Sequence, residues 1–377
     1  MSTDVVQIAP DFSVDVDYMA GRSVALLGKK GSGKTFAMRV LAEEFHKAGV
    51  QSIILDPMGV FWGLRMTSDG QHAGLDMTIF GGSKGDYPLD HSDGADLADM
   101  AIRSNSSMIL DMSEFTSRDQ ERQFVRDFLD RLYRANKDRS LMHVFIDEAD
   151  LYAPQKPSAK DGPLLETMQN LVRRGRNFGI GTTMATQRPA VLSKDVLTQV
   201  DVLVALRMIA SHDRDAIRAW VDGQDNSEDW ERVGGSLATL ENGEAWWWVP
   251  EQNILSRVQI RRTWTFDSSP TRTRGMELQT LPSLLPTRAA SKPMPEEVVI
   301  SRDYIRQMES DFETLASSLV VMQQKLDALR AQFTDLLVSR EEPQNRGLDE
   351  QVSPGVRLGA SLIYEASDAE EWADDGV

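Results

Sequence analysis

The stretch GKKGSGKT, Gly28 to Thr35, has the residue types and the spacing of a phosphate-binding loop. Its glycines let backbone N–H groups approach phosphate oxygens, and a helix that begins there adds the positive end of its dipole. We expect Lys34 to neutralise the β- and γ-phosphate oxygens and the Thr35 hydroxyl to bind Mg²⁺. The expected nucleotide-binding residues are Gly28, Lys29, Lys30, Gly31, Ser32, Gly33, Lys34, Thr35 and Phe36.

The sequence on either side predicts the strand and the helix that such a loop needs. RSVALLG, which precedes it, is a short apolar run and predicts a buried strand. KTFAMRVLAEEFHKAG predicts a helix with Val40, Leu41 and Phe45 on one face. This context favours a phosphate site, and the alternative is a glycine turn with a surface lysine.

Two adjacent carboxylates end another apolar run. In HVFIDEAD, Asp147 stands at the end of a predicted strand and Glu148 comes next. A carboxylate at the Asp147 position fits a second contact to Mg²⁺, and Glu148 is placed to polarise a water that attacks the γ-phosphate. The alternative is that both acids cap the segment that follows. A dedicated water-activating carboxylate favours repeated hydrolysis over a small-molecule kinase, in which the substrate itself attacks.

A third polar group follows the strand-like run GIGTTMATQRP. Its Gln187 could sense the γ-phosphate and relay its loss. Just before this run stand Arg173, Arg174 and Arg176. In a ring, one such arginine can reach the nucleotide of the neighbouring subunit and stabilise transition-state charge. A solvated basic helix end, favoured by the helix dipole, explains the same residues equally well.

Apolar, β-branched runs alternate with helical patterns over the first part of the chain, which predicts an α/β fold with a mainly parallel sheet covered on both faces. One long amphipathic helix is predicted with Phe124, Phe128 and Leu132 on its buried stripe. The remaining predicted strands are VQSIILDP, SMILDMS, VDVLVALRM and RVQIRRTWTF.

A hairpin is predicted in LATLENGEAWWWVP, because Asn242-Gly243 is a strong turn signal between two strand-like runs. The three tryptophans Trp246, Trp247 and Trp248 offer a base-stacking surface. Two of the three share a face of the strand. Burial in the packing of the hairpin is the better explanation of all three.

The pattern predicts four parts: a P-loop domain over 1–266, a linker over 267–299, a coiled-coil helix over 300–340 and an acidic, disordered tail over 341–377. From Ile305 to Leu336 every a and d position of a heptad repeat is apolar. The alternative is an ordinary amphipathic helix packed on the domain. The tail either solvates the chain or docks a partner.

Composition sets outer limits on function. The net charge of −17 argues against a generally adhesive nucleic-acid binder, and residues 276–377 carry −10 of it. With no cysteine and five scattered histidines, thiolate and histidine metal sites are not expected. The acidic N-terminal segment predicts no signal peptide, and no apolar run approaches the length of a bilayer span. We expect a cytoplasmic protein without a membrane segment.

Together, GKKGSGKT, IILDPMG, VFIDEAD, RRGRNFGIG and ATQRP resemble the HerA/FtsK superfamily of P-loop ATPases, and its HerA-like branch most. The resemblance implies a RecA-like core, a homo-hexameric ring, and double-stranded DNA moved through the ring using ATP and Mg²⁺. It implies these site residues: Lys34 and Thr35 on phosphate and Mg²⁺, Asp147 on Mg²⁺, Glu148 as catalytic carboxylate, Gln187 as sensor, and Arg176, with Arg174 in reserve, as trans-acting finger. One departure is Val60, which stands where the family often has a glutamate.

Non-specific DNA binding needs weak, repeated phosphate contacts, and two loops offer cations for it. The candidates are Lys156, Lys160, Arg188 and Lys194, and an ordinary solvated loop residue is the alternative explanation for each of them.

Three functions remain open: a DNA motor, the ATPase subunit of a larger complex that recruits an effector through residues 300–377, and a scaffold. Glu148 and the arginines argue against the scaffold.

Overall fold

The structure, a computed structural model, describes residues 5–137, 140–223, 227–269, 322–326 and 329–330. The chain divides into two compact units, residues 1–299 and 300–377. In the second unit, the described residues are helical, and the seam positions Met322, Leu326 and Leu329 are exposed. The rest of the predicted coiled coil and the acidic tail lie outside the described residues.

The first unit contains eleven strands and eight helices among its described residues. The strands are β1 Val5–Ala9, β2 Phe12–Asp15, β3 Ser23–Leu27, β4 Gln51–Asp56, β5 Thr78–Gly81, β6 Met108–Asp111, β7 Met142–Ile146, β8 Ile180–Thr186, β9 Val202–Leu206, β10 Glu244–Val249 and β11 Ile254–Gln259. The helices are α1 Val16–Ala20, α2 Lys34–Lys47, α3 Gly94–Ser104, α4 Arg118–Ala135, α5 Gly162–Arg174, α6 Lys194–Leu197, α7 Ser211–Asp222 and α8 Ser227–Gly234.

Nine of the strands form one sheet in the order β11-β10-β9-β3-β8-β7-β4-β6-β5. The seven strands from β9 to β5 in this order are parallel, and β10 and β11 are added antiparallel at one edge. Six of the seven parallel strands are buried throughout, as expected of a sheet covered on both faces, whereas the edge strand β5 is buried only at its two central residues. The predicted α/β fold is confirmed.

The two faces of the sheet carry separate hydrophobic cores. Alternate residues of β3 divide between them: Ala25 and Leu27 face the core made with α3 to α8, whereas Val24 and Leu26 face the core made with α1, α2 and the β1–β2 hairpin. The predicted stripe on α4 is confirmed, since Phe124 and its helical neighbours Phe128 and Leu132 are fully buried. The two cores hold the carboxyl ends of the parallel strands in fixed positions.

The predicted hairpin at Asn242-Gly243 is wrong. The residues before it form turns, and β10 instead pairs with β9 and with β11, the latter through a turn at Pro250–Asn253. Gly243 does adopt a positive φ of 77°, so the turn signal is real. This turn leads from the segment after α8 into β10 and contacts the glycine loop, rather than joining two strands. The tryptophan prediction is confirmed, because all three tryptophans of β10 are buried.

The chain that follows β11 crosses the outer side of α2. Arg261 pairs with Glu43 and Glu44 at 2.7 Å each. Further along, the buried Arg39 donates to the carbonyl oxygen of Phe266 at 2.7 Å and pairs with Asp267 at 3.1 Å. The first residues assigned to the linker, 267–269, are therefore packed against α2, and the rest of the linker lies outside the described residues.

None of the helices in the described parts of the chain is long and apolar enough to cross a membrane.

Candidate functional site

One edge of the sheet gathers the polar groups that the sequence singles out. β8 lies between β3 and β7, so the glycine loop after β3, Gln187 after β8 and Glu148 after β7 meet at the carboxyl ends of three adjacent parallel strands. They line an open cleft of about 870 Å³, called the P-loop cleft below. Its lining includes Lys30, Gly31, Gly33, Lys34, Thr35, Phe36, Asp147, Glu148, Asp150, Gln187 and Arg188.

The glycine loop has the backbone of a phosphate cradle. Gly31 and Gly33 have φ angles of 74° and 108°, which side chains with a Cβ rarely adopt. A Cβ on Gly28 would lie 2.6 Å from Ser32 Oγ and 2.9 Å from Leu206 Cβ, so only glycine fits there. Of the predicted nucleotide-binding residues, Gly28, Lys29 and Ser32 belong to the loop without lining the cleft.

The Lys34 ammonium folds back onto its own loop. Its Nζ donates to the carbonyl oxygens of Gly28 at 2.8 Å and Lys29 at 3.3 Å. Burial lowers the pKa of Lys34, and the nearby carboxylates of Glu148 and Asp147 oppose this shift. The positive charge therefore sits in the P-loop cleft, held by groups that phosphate oxygens can replace.

Backbone groups that flank the neighbouring strands β9 and β10 contact the glycine loop. Gly243 N donates to Ser32 O at 3.0 Å, and Lys29 N donates to Arg207 O at 2.9 Å. A Cβ on Gly33 would lie 3.2 Å from the Gly243 backbone. The turn before β10 therefore holds the loop in place, a role that sequence reasoning missed because the turn and the loop are far apart in the chain.

The two carboxylates after β7 differ in environment. Asp147 is only 4% exposed and accepts a hydrogen bond from Glu148 N at 3.0 Å. Burial raises the pKa of Asp147, and this hydrogen bond and Lys34 lower it. Glu148 is partly exposed and has a φ of 50°, a left-handed conformation that costs energy for a side chain of this size. That strained turn directs Glu148 into the cleft.

Gln187 holds Glu148. Its Nε2 donates to Glu148 Oε1 at 3.0 Å across the gap between β8 and β7. Burial raises the pKa of Glu148, as do Asp147 and Asp150, whereas Lys34 and the Gln187 hydrogen bond lower it. A carboxylate whose pKa is raised in this way is a stronger base than a solvated glutamate.

A second contact between the same strands was not predicted. Thr186, at the end of β8, is fully buried and donates through Oγ1 to Asp150 Oδ1 at 2.6 Å. The same hydroxyl oxygen accepts from Arg188 N at 2.9 Å. The only sequence signal was the position of a threonine before Gln187 and of a third acid in the Asp-Glu-Ala-Asp run.

The donor set fits Mg²⁺ bound together with a nucleotide. Asp147, Glu148 and Asp150 place three carboxylates near the buried ammonium of Lys34, and a divalent cation bound there would offset part of their charge. Among the described residues, no cluster of three acidic or histidine side chains could hold a metal alone. Mg²⁺ commonly takes only one or two carboxylates and completes its shell with phosphate oxygens and water. Thr35 and Asp147 are the residues that would hold it.

Arg174 and Arg176 do not join this site. They are exposed and lie just before β8, at its amino end, whereas the P-loop cleft is at its carboxyl end. The seven residues of β8 separate the two edges by roughly 20 Å at 3.3 Å per residue. Neither arginine has an ion pair or a side-chain hydrogen bond within the described ranges. Both arginines are therefore out of reach of the cleft in the same chain.

The candidate DNA-binding cations fall into different places. Arg188 lines the P-loop cleft, and Lys160 pairs with Asp119 at 2.9 Å. Lys156 and Lys194 are exposed and have no ion pair among the residues that the structure describes. Val60, where the family often has a glutamate, also lines the cleft, and its carbonyl oxygen accepts from Arg39.

Two adjoining family models match this chain. Residues 7–138 match the family described as "Helicase HerA, central domain", and residues 128–253 match "Helicase HerA-like C-terminal". A segment of 74 residues is 32% identical to the DNA double-strand break repair helicase HerA of Pyrococcus furiosus. That segment spans 20% of this chain and 13% of the length of the curated relative.

Two solved structures illustrate the similarity in fold. The genome packaging NTPase B204 from Sulfolobus turreted icosahedral virus 2, in complex with ATP-gammaS, is 16% identical, with a TM-score of 0.44 over 65% of this chain and 98% of that one. VirB4 of Thermoanaerobacter pseudethanolicus is 13% identical, with a TM-score of 0.45 over 70% of this chain and 97% of that one.

Proposed function

Because this chain belongs to the HerA/FtsK superfamily of P-loop ATPases, in its HerA-like branch, we propose that it hydrolyses ATP and that six copies form a ring that moves double-stranded DNA through its centre. The observation that carries the proposal is the hydrogen bond between Gln187 and Glu148 in the cleft that also contains Lys34. This hydrogen bond joins Glu148, the proposed base that activates water, to Gln187, the proposed sensor of the γ-phosphate.

Each group has a part in hydrolysis. Lys34 exchanges the loop carbonyls for β- and γ-phosphate oxygens, and the glycine loop donates its backbone N–H groups to the same phosphates. Glu148, with its raised pKa, accepts the proton of the attacking water. Thr35 and Asp147 would hold Mg²⁺, which would supply positive charge to offset the charge that develops on the phosphate oxygens. Gln187 leaves Glu148 when the γ-phosphate arrives and returns when it departs.

The ring supplies what the cleft of one subunit lacks. Arg176, with Arg174 in reserve, lies at the opposite edge of the sheet from its own cleft and has no acidic partner among the described residues. Such a free guanidinium suits the nucleotide of a neighbouring subunit, where it stabilises transition-state charge. Hydrolysis in this proposal therefore depends on assembly.

The first test measures the ATPase rate with and without long duplex DNA, on protein whose mass in solution is determined with ATP bound. A hexamer that DNA stimulates several-fold supports the motor. A monomer that hydrolyses ATP at the same rate as the assembled protein, or a hexamer that DNA leaves unaffected, contradicts it. The salt dependence of DNA binding gives the number of phosphate contacts and separates binding from stimulation.

A second function is favoured by the charge of the chain. The net charge is −17, of which residues 276–377 carry −10, and this balance suits a protein partner better than free DNA. In this alternative, residues 300–377 recruit an effector such as a nuclease, and the nucleotide state controls it. Hydrolysis that ignores DNA and changes when residues 300–377 are removed favours this function over the motor.

A further inference from the structure

Two chain segments leave the P-loop cleft side by side. The first runs from Glu148 to Gln155 after β7, and the second from Thr186 to Lys194 after β8; together they are called the paired segments. Their inner ends are joined by the Gln187–Glu148 hydrogen bond at 3.0 Å and by the Thr186–Asp150 hydrogen bond at 2.6 Å. Both inner contacts belong to the catalytic end of the cleft.

The outer ends are joined as closely as the inner ones. Pro154 and Leu192 form an antiparallel bridge. On one side of it, Ser193 N donates to Ala153 O at 2.8 Å, and on the other side, Gln155 N donates to Val191 O at 2.6 Å. Contacts at both ends make the paired segments a single unit, so a shift at one end is carried to the other.

Gln155 makes the last contact of the unit with its side chain. Its Oε1 accepts a hydrogen bond from Lys194 N at 2.6 Å, and its own backbone N–H donates to Val191 O. Gln155 is exposed, so its side chain is not needed for core packing. The side chain closes the unit at the point where the segments diverge.

Two free ammonium groups stand at this outer end. Lys156 follows Gln155 and Lys194 ends the second segment, and both are exposed. The acids nearby have other contacts: Asp161 pairs with Arg122 at 2.9 Å, and Asp195 accepts from Gln169 at 3.4 Å. Two lysines without acidic partners in the described ranges suit the phosphates of a nucleic-acid backbone.

We infer that Gln155 is a positioning residue that couples the Glu148–Gln187 pair to a DNA phosphate-binding surface made by Lys156 and Lys194. The inference rests on the proposed function and adds to it the route between nucleotide and DNA. When Gln187 and Glu148 separate on ATP binding, the paired segments shift together, and the two lysines move with them. DNA held by these lysines biases the same movement from the other end, because coupling between two sites is reciprocal.

The test replaces the side chain at the outer contact. Gln155→Ala removes the acceptor for Lys194 N, and Gln155→Glu keeps an acceptor oxygen at the same reach. The matched control is Gln252→Ala, an exposed glutamine in the β10–β11 turn at the opposite edge of the sheet. ATPase rates are measured with and without saturating duplex DNA, and DNA affinity is measured by fluorescence anisotropy.

We expect Gln155→Ala to lower the ratio of DNA-stimulated to basal rate about five-fold or more, with DNA affinity within about two-fold of wild type. Gln155→Glu and Gln252→Ala are expected to keep the wild-type ratio. A wild-type ratio in Gln155→Ala overturns the coupling role alone. Wild-type protein that DNA does not stimulate overturns the motor proposal itself, so the two failures are distinguishable.

The DNA surface has its own test. Exchanging Lys156 and Lys194 together for alanine is expected to weaken duplex binding and to reduce the slope of log affinity against log salt by about two, since two phosphate contacts are lost. Lys160→Ala, which removes an ammonium already paired with Asp119, is the control. An unchanged slope in the double variant overturns the assignment of this surface.

Discussion

Gln187 Nε2 donates to Glu148 Oε1 at 3.0 Å, and this contact is available only because β8 lies between the strand that carries the glycine loop and the strand that carries Glu148. The amide contacts one oxygen of the carboxylate and leaves Oε2 for the attacking water of the proposed hydrolysis. The same hydrogen bond lowers the pKa of Glu148, against the effect of burial. Gln187 therefore tunes the base as well as holding it.

The first prediction concerns the pH dependence of hydrolysis. Glu148 must be ionised to accept a proton, so the rate falls with pH on the acid side of its pKa. Gln187→Ala removes a hydrogen bond that favours the ionised form, which raises this pKa further. We expect the acid limb of the kcat/KM profile, which reports the enzyme before ATP binds, to move to higher pH. An unmoved limb, with Gln252→Ala as the reference, would show that Gln187 does not set the pKa of Glu148 in the enzyme without ATP.

The second prediction concerns Lys34. Its ammonium is the only cation of the loop that reaches the buried side of the cleft, so Lys34→Ala is expected to lower kcat/KM for ATP by about 10²–10³-fold. Lys47→Ala, at the exposed end of the same helix, is the control and should keep the wild-type rate. Binding of a fluorescent ATP analogue measures the ground-state part of the loss. Turnover that survives Lys34→Ala contradicts the site.

The third prediction concerns assembly. Arg176 lies roughly 20 Å from the cleft of its own subunit, along the length of β8. Arg176→Ala is therefore expected to reduce the ATPase rate by about 10³-fold and to be rescued in mixed rings by Glu148→Gln subunits, which lack the base but keep the arginine. Titrating one inactive variant into the other and following phosphate release measures the rescue.

Two outcomes of the mixing experiment are informative. Activity that appears only on mixing identifies a finger that acts between subunits. If Arg176→Ala is fully active and Arg174→Ala is inactive but rescued, the finger is Arg174. Mixtures that stay inactive for both arginines contradict a trans role for this pair and favour the solvated helix end, for which the dipole of α5 is a sufficient reason.

Sequence reasoning succeeded where a function depends on adjacent residues. The glycine loop, its strand and helix, and the carboxylates after an apolar run are local patterns, and Lys34, Asp147 and Glu148 all line one cleft in the structure. The α/β fold could be predicted because buried parallel strands are apolar throughout and alternate with amphipathic helices. Strand order was not predicted, since it depends on packing between elements far apart in the chain.

The failures have the same cause. The Asn242-Gly243 turn was identified correctly as a turn, but its partner is the glycine loop, and no local pattern indicates that Gly243 N binds Ser32 O. Thr186 and Asp150 look like unremarkable members of their motifs, and their contact exists only because β7 and β8 are neighbours. Arg188 was one of several candidate DNA contacts; it lines the cleft and its backbone N–H donates to Thr186 Oγ1, and its contact with DNA stays a prediction.

The fourth prediction concerns the hydrogen bond from Gly243 N to Ser32 O, which links the turn before β10 to the glycine loop. Gly243→Ala places a Cβ on a residue with a φ of 77°, at a strain of about 1 kcal/mol, next to the loop that binds phosphate. Gly49→Ala is the control for backbone strain, because Gly49 has a φ of 75° and open space around the added methyl group, whereas the methyl group on Gly243 would lie 2.9 Å from Gln259 Nε2, the end of a flexible side chain that can move aside. Both variants should lose similar stability in thermal unfolding. Only Gly243→Ala is expected to raise KM for ATP. An equal KM in both variants would contradict the claim that the Gly243 turn holds the glycine loop in place.

The last prediction concerns His143, which is fully buried on β7. Its Nδ1 lies 2.9 Å from Ala20 O, which can only accept, so Nδ1 carries the proton and Nε2 accepts from Thr183 Oγ1 at 2.7 Å. Both ring nitrogens are therefore satisfied in the neutral form. Burial lowers the pKa of His143 to about 4, against an ordinary value of 6.5. The folded protein keeps this ring uncharged where the unfolded chain would protonate it.

The sign of the pH effect follows. Because the folded pKa is the lower one, this contribution to stability is fully present above pH 6.5 and is lost as the pH falls towards 4, by roughly 3 kcal/mol in total. Asp56 acts in the opposite direction: burial raises its pKa to about 7, so its contribution is lost as the pH rises from 3.8 to that value. A wild-type stability curve alone therefore mixes the two groups.

Comparison with a variant separates them. His143→Gln cannot titrate, so its deficit relative to wild type in the free energy of unfolding should shrink by roughly 3 kcal/mol between pH 7 and pH 4. Urea titrations at several pH values measure this difference, and Asp56 cancels because both proteins contain it. If the variant does not fold, NMR of the wild-type ring serves instead. A ring that titrates near pH 6.5 in the folded protein, or a deficit that stays constant, contradicts the buried neutral histidine.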